Sequence, residues 1–232
     1  MTARRLVRGA LTALAVLVAL YLIAPVFVVI PMSFSASAFL KFPPQSWSGR
    51  WYENFFTDDT WLSSALSSVQ IGLLVTVLSV VLGTLAALGM VRGRYPLQGV
   101  VAGLVLAPVL VPYVIIGLAV YAAFLVTDLT QTTLGFVLIH TALAVPYVVI
   151  NVSAALFGFD RNLERAAMNL GAGPVSAFLR ITLPIIAPSM ATGALFAFIT
   201  SFDEVVTSVF LSGPDLTTLP AKMWSGVRVQ ID

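Results

Sequence analysis

This 232-residue chain has no cysteine, a single histidine (His140) and little charge of either sign. Without cysteine there are no disulfides, no thiolate nucleophile and no zinc-finger ligand set. One histidine cannot build a histidine-based metal cluster within one chain. Only 9% of the residues are charged, against 59% hydrophobic, whereas a soluble globular domain carries about 25% charge. That balance excludes an ordinary soluble enzyme and a disordered chain. No Gly-x-x-x-x-Gly-Lys-Ser/Thr run occurs, so the chain supplies no phosphate loop for ATP. No Ser/His/Asp set or carboxylate pair stands in a catalytic pattern, and no basic nucleic-acid face is present. The expectation is a protein that is not an enzyme by itself, holds no metal and binds no nucleic acid.

What the chain has instead is long stretches without charge. Gly9–Phe39, Thr60–Val91, Tyr95–Thr127, Leu129–Phe159 and Ile181–Phe202 carry none, and about 20 apolar residues cross a bilayer. Each is read as one helix, because a backbone in lipid must satisfy its own hydrogen bonds. The expected fold is all-α, a polytopic membrane helix bundle with spans at about 10–32, 62–91, 96–126, 131–156 and 184–211. The first run follows Arg4, Arg5 and Arg8, and Ser35-Ala36-Ser37-Ala38 has the look of a cleavage site. A signal peptide has an apolar region of about 7–15 residues, and this run is longer, so a retained helix is expected. Ser212 to Asp232 reads as polar and turn-rich, with no sixth apolar run.

Lys and Arg set the orientation. With the N-terminus in the cytoplasm, Arg4, Arg5, Arg8, Arg92, Arg94, Arg161, Arg165 and Arg180 lie inside. Lys41, Arg50, Lys222 and Arg228 lie outside, eight against four. The outer loop 33–60 collects Phe39, Phe42, Trp47, Trp51, Tyr52, Phe55 and Phe56, which suits an interfacial aromatic belt with a short amphipathic helix. Pro25, Pro108, Pro112 and Pro146 should kink or open their helices. Gly83-x-x-x-Ala87 and Gly99-x-x-x-Gly103 permit close helix packing. His140 is expected to be a packed, hydrogen-bonded histidine rather than a metal ligand.

The inner loop 157–183 is patterned. Asp160 or Asn162 can cap a helix starting near Leu163. Leu163, Ala166, Ala167 and Leu170 share one helical face, and Gly171 with Gly173-Pro174 ends it. A second short helix over Val175–Ile181 is expected, with Pro184 starting the last span, where a missing N–H costs nothing. Two short helices joined by a glycine turn make a docking surface; the plainer alternative is a linker lying on the membrane.

This loop resembles the signature loop of ABC-importer permeases, whose pattern is Glu-Ala-Ala, three residues, Gly, nine residues, Ile-x-Leu-Pro. Ala166, Ala167, Gly171, Ile181, Leu183 and Pro184 stand at that spacing. The pattern's Glu falls on Arg165, with Glu164 one residue early. The resemblance continues through Leu106–Pro112, Ile139-His140-Thr141 and Pro146-Tyr147. Ser201-Phe202-Asp203-Glu204, Gly213-Pro214 and Thr218-Leu219-Pro220 look like the spermidine/putrescine branch. The resemblance implies one permease domain over 1–232 with six spans, of which five are visible here. It places the chain in a bacterial cytoplasmic (inner) membrane. It also implies two copies of a cytoplasmic ATP-binding-cassette ATPase, a second and different permease, and an external solute-binding protein. ATP and Mg would be the partner ATPase's, with no cofactor in this chain. Residues 164–167, 171, 181, 183 and 184 would couple the chain to that ATPase. In the family the Glu helps clamp the loop to the ATPase, so its part here passes to Glu164 or to a charge-swapped partner.

Asp203 and Glu204 lie in an otherwise apolar run. A charge at the bilayer centre costs about 2.5–3.5 kcal/mol on insertion scales. Pro188 to Asp203 spans roughly 22 Å at 1.5 Å per residue, which puts the acids in the outer half of the bilayer. On a regular helix they diverge by about 100° and cannot share one pathway. Either one acid faces the route of a cationic solute, with Tyr113, Tyr147 or Trp224 adding cation–π contacts, or the two are a structural pair. The expected function is the permease subunit of an ATP-driven importer for a polyamine or related amine. The alternatives are a carrier driven by an ion gradient, or an importer for an opine, an amino-acid-like amine, thiamine or iron.

Overall fold

The structure is a computed structural model that describes residues 2–37 and 41–229. Phe39 of the aromatic loop and Ala38 of the cleavage-like run lie outside the described residues. The described chain is helical, with one isolated β-bridge between Ser35 and Trp47. It forms two compact units, 1–62 and 63–232.

The first unit holds α1 (Thr2–Ser33) and α2 (Arg50–Thr57). The described side chains of α1 stay exposed as far as Ile30, including Leu11, Leu14, Leu17 and Phe27. A helix apolar all round and unburied suits lipid. The short helix expected in the aromatic loop is present as α2. Trp51 Nε1 donates to the Ser35 carbonyl at 2.9 Å, and the hydroxyls of Tyr52 and Ser33 pair at 2.7 Å. The Arg50 guanidinium sits 4.3 Å from the Trp51 ring centre.

The second unit begins within α3 (Asp59–Arg92) and continues through α4 (Gln98–Leu110), α5 (Tyr113–Val126) and α6 (Thr133–Gly158). There follow α7 (Asn162–Asn169), α8 (Pro174–Ala177), a π-helical turn over Phe178–Thr182, α9 (Leu183–Phe202), α10 (Val206–Leu211) and α11 (Leu219–Val229). α6 is the core helix, burying Phe136, Leu143, Ala144, Val148 and Val152. α9 and α4 pack on it, and α5 packs on α10. Val148 is gripped from two sides. A Cβ on Gly83 of α3 would stand 2.6 Å from Val148 Cβ, and one on Gly193 of α9 would stand 3.1 Å from Val148 Cα. Ala87, one turn on from Gly83, is fully buried. A Cβ on Gly99 or Gly103 would meet nothing within 4 Å among the described residues, so that small pair makes no close helix contact there.

Four helical stretches are long and apolar enough to cross a membrane: Arg4–Ser33, Asp59–Arg92, Thr133–Gly158 and Pro174–Phe202. The expected single helix over 96–126 is two, α4 and α5, bent by 103°. The cause is local. Val111 precedes Pro112 and takes an extended backbone (φ −86°, ψ 132°), as a residue before proline prefers. Pro112 then caps α5. Pro25, Pro108 and Pro146 remain inside α1, α4 and α6.

The expected helix over 184–211 is also two, α9 and α10, parted at Asp203–Val205. At the other end, Pro184 lies in the first turn of α9, as expected, but α9 is not a separate helix. The helix runs unbroken from Pro174, and the π-turn widens it just before Pro184, where Leu183 N–H donates to the Phe178 carbonyl. A π-turn absorbs the missing donor and the ring's bulk. The tail read as turn-rich contains α11. Pro220 sits in its first turn, where no N–H is needed, and the Leu219 N–H donates to Ser68 Oγ of α3 at 2.8 Å.

Candidate functional site

Two clusters stand at opposite ends of α9. The first is the patterned loop. Asp160 Oδ1 accepts from the Asn162 N–H at 2.9 Å in the turn that leads into α7; the N-cap position itself is Arg161, and neither Asp160 nor Asn162 occupies it. Gly171 has φ +94°, a left-handed turn that favours glycine. Gly171 N–H donates to the Met168 carbonyl and Ala172 N–H to the Ala167 carbonyl at 3.1 Å. These bonds satisfy carbonyls left open at the end of α7. Ala166 is exposed and Ala167 half-buried, while Leu163, Met168 and Leu170 are exposed. Ile181, Leu183 and Pro184 lie on the π-turn and the start of α9.

The two adjacent charges of α7 point to different places. Glu164 Oε1 accepts from Arg92 Nη1 at 2.9 Å, and the Thr182 hydroxyl donates to the same oxygen. Arg165 is exposed, with one long bond to Asn162 Oδ1 at 3.5 Å. Counting charges by loop used Arg92 only for orientation. It gave no sign of this pairing, nor of Thr182, the unspecified position of Ile-x-Leu-Pro.

The second cluster is the break between α9 and α10. Glu204 is 5% exposed, and its Oε1 accepts from the Thr207 N–H at 2.8 Å, closing the first turn of α10. His140, 1% exposed, bonds both flanks of the break. Nδ1 lies 2.9 Å from Ser201 Oγ on α9, and Nε2 lies 3.3 Å from Ser208 Oγ on α10. Phe136 meets the imidazole edge-on. His140 is thus the packed, hydrogen-bonded histidine the sequence suggests. Its two serine partners were not foreseen, although Ser201 and Ser208 stand seven residues apart around the acids.

Because the helix breaks at them, Asp203 and Glu204 do not follow the regular 100° divergence. Glu204 turns in and Asp203 stays exposed. Asp203 lines a cavity of about 260 Å³ with Phe202, Val205, Pro220, Met223 and Trp224. Tyr113, at the start of α5, is partly buried against the core. Tyr147 stacks on Phe196, ring centres 6.3 Å apart. So Asp203 joins Trp224 at one cavity, whereas among the described residues no contact brings Tyr113 or Tyr147 to it. Among the described residues no group of three or more His, Cys, Asp or Glu is placed to hold a metal.

A broken-helix bundle with a glycine-turned loop between its two best-packed helices has the form of a membrane transport component. Residues 79–226 match the family described as binding-protein-dependent transport system inner membrane component, and the chain belongs to it. The putrescine transport system permease protein PotI of Escherichia coli K12 is 35% identical over 219 residues, 91% of this chain and 78% of that protein. The spermidine/putrescine transport system permease protein PotC of Haemophilus influenzae is 30% identical over 212 residues, 91% of this chain and 82% of that protein. A crystal structure of a bacterial ABC transporter involved in the import of the acidic polysaccharide alginate aligns with a TM-score of 0.75. It covers 100% of this chain and 83% of that one at 16% identity, which establishes the shared fold. A shared fold does not choose a cargo.

Proposed function

We propose that the chain is the permease subunit of an ATP-driven importer for a polyamine or a related small amine. α7 and its glycine turn are the docking element for an ATP-binding-cassette ATPase. Two copies of that ATPase serve this chain and a second, different permease, and an external binding protein delivers the solute. ATP and Mg belong to the ATPase. The α7 side of the membrane is cytoplasmic, as is the N-terminus. ATPase closure moves α7, and the continuous helix from Pro174 to Phe202 carries that movement to the break at Asp203. The solute pathway passes Asp203, whose carboxylate attracts an ammonium group and whose neighbour Trp224 offers a π face. Glu204, Tyr113 and Tyr147 line the same route by way of the buried side of the break.

The observation that carries the cargo reading is the exposed Asp203 in an otherwise apolar cavity beside Trp224. An unpaired carboxylate in apolar surroundings favours a cation and disfavours an anion. Relatives named for putrescine and spermidine transport point the same way.

The test starts with a mild-detergent purification of the tagged chain from its native membrane, with every co-purifying protein identified. The reconstituted complex is then given labelled putrescine, with and without ATP and binding protein. Expected are an ATPase, a second permease and uptake that needs ATP. Asp203→Asn should cut uptake about tenfold or more, the scale of one lost charged contact of ~1.4 kcal/mol or above. Uptake by the chain alone, without ATP, would instead identify an ion-gradient carrier.

A further inference from the structure

We infer that Glu164 is the internal tie of the docking helix, a positioning residue that bonds α7 at one carboxylate oxygen to the end of α3 through Arg92 and to the π-turn through Thr182. This inference rests on the importer reading above and adds to it a route for the movement.

α7 has no fully buried side chain. Apolar packing therefore fixes it weakly, and its Leu163 and Met168 and the following Leu170 are exposed. Its carboxylate is the exception. The side chain of Glu164 keeps 14% of its exposure and that of Arg92 24%. The pair joins residues 72 apart in sequence. The Arg92 guanidinium also lies 5.7 Å from the Phe159 ring, at the start of the loop. Its Nη2 is buried with no partner, so Glu164 is what answers that charge. Half-buried ion pairs are costly to break one partner at a time, because the other charge is left unanswered.

The third member decides what the tie does. Thr182 is fully buried and ends the π-turn, one residue before α9 begins. Single π-turns inside α-helices occur frequently at functional sites. A carboxylate that holds α7 to this turn and to α3 passes a push on α7 into two spans at once. Glu164 then cannot also be the family's clamp to the ATPase, because its bonded oxygen faces into its own chain.

The experiment uses the assembled transporter in vesicles with its binding protein, measuring solute moved per ATP hydrolysed and the ATPase retained on purification. For Glu164→Gln we expect full ATPase retention and continued hydrolysis, with solute per ATP reduced about tenfold. Arg92→Gln should do the same. The exchange Arg92→Glu with Glu164→Arg restores the pair, and a Thr hydroxyl can accept as well as donate, so it should recover most of the ratio. If Glu164→Gln accumulates poorly, recovery of both accumulation and ratio by the exchange supports the tie, and recovery of accumulation alone overturns it. An unchanged ratio in Glu164→Gln overturns the inference and leaves the importer reading intact. Loss of the ATPase from Glu164→Gln also overturns it, since Glu164 would then face the partner. A native complex with no ATP-dependent uptake would remove both.

Discussion

The two ends of α9 are interrupted in different ways, and each interruption is organised around a carboxylate. At the α7 end the helix widens into a π-turn and continues, and Glu164 meets a cation, Arg92. At the other end the helix stops, and Glu204 meets no cation but the backbone N–H of Thr207. The first arrangement joins distant parts of the chain through charge. The second closes a local turn through a dipole and leaves the neighbouring acid, Asp203, open to a cavity. A charge-to-charge bond depends on both ionised partners. A cap needs only an acceptor in the right place. The two carboxylates should therefore respond oppositely to neutralisation, Glu164 strongly and Glu204 weakly.

The largest expected effect on stability is at His140, which spans the second interruption. Leucine there removes both serine bonds and leaves two buried hydroxyls to find other partners. Interhelical bonds in membrane proteins are worth about 0.6–2 kcal/mol each. His140→Leu should then cost roughly 1–4 kcal/mol. It would be read as a lower midpoint in a thermal melt followed by tryptophan fluorescence in detergent. If the melt is unchanged, the break is held by packing and not by the imidazole.

Next in size is the cap. Glu204→Leu removes the acceptor for Thr207 and should cost about 0.5–2 kcal/mol. Glu204→Gln keeps an oxygen at the same reach and should stay within about 0.5 kcal/mol of the native chain. Equal losses in the two variants would mean that the charge itself is needed. The contrast between the ends of α9 would then fail.

Much of this was legible from composition and spacing. The apolar runs mark the long helices, and the Ala-Ala, Gly and Ile-x-Leu-Pro spacing marks the loop of α7 and the π-turn. Asp160, two residues before α7, and Gly171, two residues after it, mark its ends, because turn chemistry is written in local sequence. The positions of the breaks were only half legible. Of the four prolines expected to distort helices, Pro112 parts one, where its predecessor Val111 goes extended; Pro25, Pro108 and Pro146 lie inside continuous helices. What decides between these outcomes is the packing on either side. α4 lies on α6 and α5 on α10, and no local pattern states that. α11 is hidden by its polarity, and Pro220 in its first turn is the local sign of it. The partners of His140 and Glu164 were hidden for the same reason as the bend: Ser201, Ser208, Arg92 and Thr182 are distant in sequence and ordinary in type.

The smallest expected effect on stability is at Arg165, and it sharpens the comparison within a single helix. Arg165 adjoins Glu164 but is exposed, and its one bond, to Asn162, is long. Surface pairs of that kind contribute between zero and about 1 kcal/mol. Arg165→Gln should therefore leave the melting midpoint within about 0.5 kcal/mol of the native value. Its consequence should fall on association. A solvent-facing cation on a docking helix acts mainly through complementary charge on the partner, and such contacts weaken with salt. Arg165→Glu should lower the ATPase recovered on purification and flatten the dependence of that recovery on salt concentration. Neighbouring residues on one helix would then divide the work, one facing inward to carry movement and the other outward to meet the partner. If Arg165→Glu retains the ATPase with an unchanged salt dependence, Arg165 is a solvated surface charge, and any docking by α7 would fall to the exposed Leu163, Ala166 and Leu170.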